Sequence, residues 1–144
     1  MTLPAVGGWI IDFRTAREIF TSGSNERISH CVSMCGRGKL FTFFCEKDNF
    51  KQVPTLKQTF IQDQNCVLVP DDDVMKRCIS ISKTPLAKKR LQGNDSALFL
   101  TATAAAHNFG VISNHQSFVY TTVGDLCQVH GIPFFAADQY FDAL

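Results

Sequence analysis

Long apolar runs and net charge are what this sequence most clearly lacks. No stretch approaches the roughly 20 apolar residues that a helix needs to cross a bilayer, so we expect no membrane-spanning segment. The formal net charge is +1, from 14 Lys and Arg against 13 Asp and Glu. A chain so nearly neutral does not attract polyanions as a whole. Any binding of nucleic acid must therefore come from a local basic patch.

A basic N-terminal region is also missing. The first residues, MTLPAVGGWIIDF, carry no Lys or Arg, and their apolar run stops at Asp12. A secretory signal peptide has a basic segment followed by an uninterrupted apolar one. We therefore expect a cytoplasmic protein whose six cysteines remain free thiols.

Apolar residues, by contrast, are plentiful. The chain of 144 residues is 45% apolar and 19% charged, and it contains 13 Phe. A chain of this length and composition can bury one hydrophobic core. We therefore predict a single domain over residues 1–144, with phenylalanines filling its core.

Strand-like and helix-like segments alternate along the chain. Five short apolar runs are typical of strands: GGWIIDF, KLFTFF, NCVLVP, FGVISN and IPFFAA. Helical spacing lies between them, with cap signals such as Ser24 before one helix and Gly131 after another. Such alternation favours right-handed crossovers and a parallel sheet covered on both faces. The sequence therefore predicts an α/β protein, a three-layer α/β/α sandwich around a mainly parallel sheet of five strands.

Acidic and polar residues stand where several of these strands end. They are Asp12 after the first strand, Glu46 and Asp48 after the second, Asp95 at the head of the helix before the fourth, and Asn114 and His115 after the fourth. Ligands bind parallel sheets at this carboxyl edge. Clustered carboxylates repel one another unless a hard cation such as Mg²⁺ or Mn²⁺ neutralises them. The placement therefore indicates a metal site that can act on a phosphodiester.

Each acid also has a structural interpretation of its own. Asp12 alone can simply end a strand, and Asp95 alone is typical of an N-cap or of a first-turn acid. Their common placement at the ends of strands is what favours chemistry over capping.

The order of these segments resembles that of PIN-like domains, the small α/β fold of many RNA-cleaving nucleases, including bacterial toxin ribonucleases. GWIIDF is similar to the opening strand that ends in Asp, and KLFTFFCEKDNFKQV to the strand and helix with an early acid. NDSALFLTATAAAHNFGVISNH resembles the Asp-headed, Ala-rich helix and its strand, and LCQVHGIPFFAADQYFDAL the closing elements. The resemblance spans nearly the whole chain and implies a ribonuclease that uses Mg²⁺ or Mn²⁺.

The resemblance also assigns roles to particular residues. Asp12 and Asp95 match acids that bind the metal. The second acid of the family falls on Asp48 or Asn49, with Glu46 as the alternative.

The last acidic position of the family is substituted in this chain. It falls on His115, or on Asn114 if the register shifts by one residue, and either substitution removes a negative charge. An Asn carbonyl can still ligate a metal, and His115 can ligate Mn²⁺ or act as a general base. Ser113 matches a hydroxyl that orients the metal-bound water or a carboxylate.

A basic stretch precedes Asp95 and contains Lys83, Lys88, Lys89 and Arg90. Cations in this place can contact the phosphates that flank a scissile bond, although such a run is also typical of a solvated helix face. The expected partner is RNA. A toxin-type nuclease further implies an antitoxin protein, and the resemblance implies a homodimer.

Other functions remain open. A PIN-like domain that no longer cleaves would bind RNA or protein without a complete set of metal ligands. A flavodoxin-like or receiver-like domain would bind a small ligand, but no glycine-rich phosphate loop supports it. Cys127 and His130 share one helix face, whereas a catalytic Cys–His pair normally comes from separate elements and needs a third group.

Overall fold

A five-stranded parallel sheet forms the centre of the protein. The computed structural model describes residues 2–90, 95–114 and 118–144. The strands lie in the order β3-β2-β1-β4-β5 and every neighbouring pair is parallel. They are β1 (Gly8–Ile11), β2 (Leu40–Phe43), β3 (Val67–Leu68), β4 (Phe109–Ile112) and β5 (Phe134–Phe135). The predicted α/β fold with a parallel sheet between helices is confirmed.

Helices cover both faces of this sheet. They are α1 (Phe13–Ser22), α2 (Asn25–Gly36), α3 (Lys47–Lys51), α4 (Pro54–Lys57), α5 (Asp72–Ser82), α6 (Pro85–Arg90), α7 (Asp95–His107), α8 (Phe118–His130) and α9 (Ala137–Asp142). Helices α1 to α4 and α9 pack on one face, and α7 and α8 on the other. Helices α5 and α6 pack against the outer side of α7 and α8. Within the described residues, no helix is long and apolar enough to cross a membrane.

Local sequence signals explain several helix boundaries. Ser24 accepts a hydrogen bond from the Arg27 N–H and caps α2, as predicted. Pro54 is the first residue of α4, because a proline there removes no helical hydrogen bond. Gly131 has a φ of +69°, which suits the turn that ends α8.

Trp9 packs closely on Gly110 within the sheet. The two residues are partners in the register of β1 and β4. A Cβ atom at position 110 would collide with the Trp9 ring. Gly110 therefore gives the indole its place in the core, where only 4% of Trp9 is exposed.

The order of the strands changes direction between β1 and β4. Strands β2 and β3 extend to one side of β1, whereas β4 and β5 extend to the other. The segments that follow β1 and β4 therefore run to opposite sides, and a crevice opens at the carboxyl ends of these two strands. Asp12 follows β1 and Ser113 follows β4, so both lie at this crevice.

Candidate functional site

Asp12 is a buried acid at the start of α1. Its Oδ2 atom accepts a hydrogen bond from the backbone N–H of Thr15, at 3.4 Å, and so caps the helix. Only 3% of the residue is exposed, and Oδ1 is buried with no hydrogen-bond partner in the described part of the chain. Burial raises the pKa of the Asp12 carboxyl, and hydrogen bonding by Thr15 and Ser113 offsets part of that rise. A buried carboxyl group with a shifted pKa is typical of functional sites.

Glu46 reaches the same helix start from the neighbouring strand. Its Oε2 atom accepts a hydrogen bond from the backbone N–H of Phe13, at 3.1 Å, and Phe13 directly follows Asp12. A 3₁₀ turn over Phe44–Glu46 continues β2 and carries Glu46 to this position. Two carboxylates therefore lie at the N-terminus of α1, where free N–H groups and the helix dipole favour negative charge.

The first turn of α7 lies beside this 3₁₀ turn. Burial raises the pKa of the Cys45 thiol, and the Ser96 side chain lies close enough to offset part of that rise, so Ser96 lies next to the residue that precedes Glu46. Helix α7 begins at Asp95, as the sequence predicts. The Asp95 side chain lies outside the described part of the structure. The backbone nevertheless brings the starts of α1 and α7 and the end of β2 to one edge of the sheet.

Of the three positions considered for the second acid, Asp48, Asn49 and Glu46, only Glu46 contacts the start of α1 within the described part of the chain. Asp48 is exposed on α3, and so is Asn49. The sequence could not distinguish them, because it does not reveal that residues 44–46 form a separate turn before α3 begins.

Asn114 is committed to bonds with two helices. Its Nδ2 donates a hydrogen bond to Glu18 Oε2 at 2.8 Å, and its Oδ1 accepts one from the Ala137 N–H at 2.9 Å. Its own N–H donates to Thr15 Oγ1 at 3.1 Å. The side chain also lines a cavity of about 220 Å³ between α1 and α9. A metal at Asn114 Oδ1 would have to compete with the N-terminus of α9.

Ser113 and His115 flank that residue. Ser113 is fully buried, and its side chain is within hydrogen-bonding reach of the Asp12 carboxyl. The orienting role that the resemblance implies for Ser113 stays a prediction. His115 lies outside the described residues, so its predicted role stays a prediction.

A contact between Asp71 and His107 shows which ends of α5 and α7 lie together. Asp71 caps α5, and its Oδ2 lies 3.0 Å from Nε2 of His107 in the last turn of α7. The two helices are therefore antiparallel, and the C-terminal end of α5 points toward the end of α7 that begins at Asp95.

The basic stretch continues from that end of α5. Lys83 is the exposed C-cap residue of α5, and Lys88 is exposed on α6. The side chains of Lys89 and Arg90 lie outside the described part of the chain. The backbone thus keeps the stretch on the side of the molecule where α7 begins.

A complete metal site is not visible in the described residues. They contain no group of three or more His, Cys, Asp or Glu side chains that could hold a metal ion. The side chains of Asp95 and His115 are not among them. The buried, unpartnered Oδ1 of Asp12 is the one feature described here that fits a cation directly, because a carboxylate oxygen is a ligand that Mg²⁺ and Mn²⁺ prefer.

The Cys127–His130 pair lacks the properties of a nucleophilic site. Cys127 is fully buried, and burial raises the pKa of its thiol to about 12. A thiol held in its protonated form is a poor nucleophile. His130 Nε2 is buried without a hydrogen-bond partner in the described residues.

Two residues of α1 escaped the sequence reasoning. Thr15 stands three residues after Asp12, and that N-cap spacing could have identified its contact with the acid. Glu18 binds Asn114 across 96 residues of sequence, a contact that no local pattern signals.

Comparison with known proteins adds no assignment. No protein-family model, no curated protein and no solved structure matches the chain.

Proposed function

We propose that this protein is a metal-dependent ribonuclease that hydrolyses phosphodiester bonds in RNA. The observation that carries the proposal is the Oδ1 atom of Asp12, which is buried and unpartnered among the described residues at the crevice between β1 and β4. A buried carboxylate oxygen without a hydrogen-bond partner is unfavourable, and a bound cation would reduce that penalty. Glu46 at the same helix start supplies a second anionic group.

Asp12, Glu46 and Asp95 would hold Mg²⁺ or Mn²⁺. When bound, such an ion lowers the pKa of a water and stabilises negative charge on a phosphate. The chain's own residues would fix the geometry. Ser113 and Thr15 keep the Asp12 carboxyl in place through hydrogen bonds, and the burial of Asp12 limits competing water.

The remaining sequence expectations belong to the same proposal. The exposed Lys83 and Lys88, with Lys89 and Arg90, would contact RNA phosphates near α7. The protein would act in the cytoplasm. A toxin-type nuclease would be neutralised by an antitoxin protein and would work as a homodimer.

A second candidate is a PIN-like module that binds RNA or protein without cleaving. Asn114 favours it, because an amide stands at the position of an acid and both ends of its side chain are already hydrogen-bonded. Such a module would need the basic surface but not the carboxylates.

Cleavage of a mixed RNA by the purified protein separates these functions. The reaction is run with Mn²⁺, with Mg²⁺ and with EDTA, for the native chain and for Asp12→Asn and Asp95→Asn. Asp71→Asn is the matched control, because Asp71 also caps a helix but lies at the other end of α7.

The nuclease proposal requires cleavage that depends on metal, disappears in both site variants and persists in the control. RNA binding without cleavage under every condition would contradict it and favour the module. Cleavage that survives Asp12→Asn would show that the activity does not come from this site.

A further inference from the structure

Two cysteines from distant parts of the chain meet in the hydrophobic core. Cys35 lies in the last turn of α2, and Cys66 directly precedes β3. The Cys66 thiol donates a hydrogen bond to the Cys35 carbonyl oxygen, with Sγ 3.6 Å away, although 31 residues separate the two. Both side chains are buried in the same core cluster, and both are free thiols. The sulfur of Cys66 therefore lies against residue 35 itself.

Backbone hydrogen bonds fix the position of each cysteine. The Cys66 N–H donates to the Phe60 carbonyl oxygen at 2.8 Å, and the Cys66 carbonyl oxygen accepts from the Thr42 N–H at 2.8 Å. The Cys35 carbonyl oxygen also accepts a hydrogen bond from the Gly38 N–H, at 3.1 Å, in the turn that ends α2. The fold therefore holds the two cysteines next to each other.

The two thiols shift each other's pKa in opposite directions. The Cys35 side chain lowers the pKa of the Cys66 thiol, and burial opposes this only in part. The pKa of the Cys35 thiol is raised, first by the Cys66 side chain and then by burial. Such effects require the two side chains to lie close together. Because a thiolate is the form of cysteine that attacks a disulfide, Cys66 is the nucleophile of the pair.

Cys66 can be reached from solvent at the edge of the sheet. Residues 62–65, which precede it, are exposed. Strand β3, which follows it, is two residues long and pairs with β2 alone among the described strands. A segment with so few buried contacts opens locally at small cost. An oxidant can therefore meet Cys66 while the central strands stay folded.

We propose that Cys35 and Cys66 form a reversible disulfide when the protein meets a low-molecular-weight disulfide such as oxidised glutathione. The Cys66 thiolate attacks one sulfur of the reagent, which forms a mixed disulfide and releases one thiolate. The Cys35 thiol then loses its proton to solvent, attacks Cys66 Sγ and releases the second thiolate. Two protein thiols are thereby oxidised, and one reagent disulfide is reduced to two thiols. In a reducing cytosol the pair returns to the dithiol, as redox-sensing cysteines do.

The cross-link would tie the end of α2 to the start of β3 and close a covalent ring over residues 35–66. That ring contains β2 and the 3₁₀ turn that carries Glu46. A disulfide stabilises a protein largely by restricting the unfolded chain, and the effect grows with the length of the closed loop. Oxidation would therefore brace the half of the sheet that ends in β3. The inference does not rest on the proposed function.

Oxidation of the purified native chain with glutathione disulfide tests the inference. The remaining thiols are alkylated under denaturing conditions, and mass spectrometry of a protease digest identifies which cysteines are linked. Tm is measured before oxidation, after it, and after reduction with dithiothreitol. Cys35→Ala and Cys66→Ala each remove one partner. Cys31→Ala is the matched control, because Cys31 lies one turn before Cys35 on the same helix and is also buried.

We expect one cross-linked peptide that joins Cys35 to Cys66 and a rise in Tm of about 5 °C or more, both reversed by dithiothreitol. Cys31→Ala should behave as the native chain does, whereas Cys35→Ala and Cys66→Ala should show neither change.

Four outcomes would each overturn the inference. They are a mixed disulfide that stays on Cys66, free thiols at both positions after oxidation, linkage of either one to another cysteine, and a cross-link that leaves Tm unchanged or lower. The peptide map of the native chain gives its answer even if a variant does not fold.

Discussion

The carboxylate of Glu46 accepts a hydrogen bond from the N–H of Phe13 at 3.1 Å, although 33 residues separate them in the chain. This bond brings the acid that ends the β2 turn to the residue after Asp12. One helix start therefore receives an acid from each of two adjacent strands. The N–H groups at the start of α1 stabilise both charges in part, and burial raises the pKa of the Asp12 carboxyl.

Asp12→Asn is expected to stabilise the folded protein at neutral pH by about 1 kcal/mol, the scale of one buried polar group. Asn is as good an N-cap as Asp and carries no buried charge. The pKa of the Asp12 carboxyl in the folded protein is raised above its ordinary value of 3.8. The free energy of unfolding of the native chain therefore falls as the pH rises from about 3.8 through the pKa of the folded state. Urea unfolding at several pH values measures both effects, and a less stable Asp12→Asn at neutral pH would contradict the prediction.

The pKa of Asp71 is lowered, whereas that of Asp12 is raised. Asp71 is also an N-cap, but the Val74 N–H and His107 lower the pKa of its carboxyl. A carboxyl group whose pKa is lowered on folding stabilises the folded protein at pH values above its pKa in the unfolded chain. This stabilisation is lost as the pH falls through the pKa of the folded state. Asp71→Asn should therefore be less stable than the native chain at neutral pH and should approach it in acid.

Metal binding should stabilise the native chain against heat. A cation that binds only the folded state adds about 2.7 kcal/mol at a hundred times its Kd. Thermal unfolding with Mn²⁺ and with EDTA measures the shift in Tm. Asp12→Asn and Glu46→Gln should lose most of that shift, whereas Asp48→Asn should keep it. An equal shift in all four proteins would place the metal elsewhere.

Asn114→Asp looks like a repair of the acidic site, but we expect it to destabilise the fold by about 2 kcal/mol, because it removes a hydrogen bond to a charged group. The new carboxylate would lie where Asn114 Nδ2 now donates to Glu18, at 2.8 Å. The double variant Asn114→Asp with Glu18→Gln should recover stability, since an amide again faces a carboxylate. Chemical unfolding of the native chain, of Asn114→Asp and of the double variant checks this. If Asn114→Asp were as stable as the native chain, the Glu18 side chain would have to rotate away from the new carboxylate, and the prediction would be wrong.

Gly110→Ala is expected to destabilise the protein by about 3 kcal/mol, the upper range for overpacking a core. The added methyl would collide with the Trp9 ring in the next strand. Gly36→Ala is the control, because a Cβ there meets nothing within 4 Å and the residue is helical. Gly36→Ala should leave the free energy of unfolding unchanged or raise it by up to about 1 kcal/mol. Similar Tm values for the two variants would contradict the packing described here.

The features that the sequence predicted are those encoded locally. Ser24 and Gly131 act within one turn of their own helices, and each does what its pattern indicates. The apolar runs likewise become the five strands, because burial of such runs between two helical layers is the most favourable arrangement open to them.

The parts that escaped prediction depend on contacts between distant segments. The contact between Glu46 and α1 depends on a three-residue turn that carries the Glu46 side chain to the Phe13 N–H. The partners of Asn114 lie on α1 and α9, and neither shows in a spacing. Such contacts are set by how the elements pack, so the sequence indicated the edge of the sheet but not which atoms meet there.

The bond between Asn114 and Glu18 also restricts how this chain can change. The Asn114 amide donates a hydrogen bond to the Glu18 carboxylate at 2.8 Å, whereas two carboxylates at this distance would repel each other. The order of exchange at positions 18 and 114 therefore matters, because Gln at position 18 can still accept a hydrogen bond from Asn114, whereas an acid at position 114 opposes Glu18. The two residues form an epistatic unit, and an acid at position 114 becomes acceptable only after the charge at position 18 is gone.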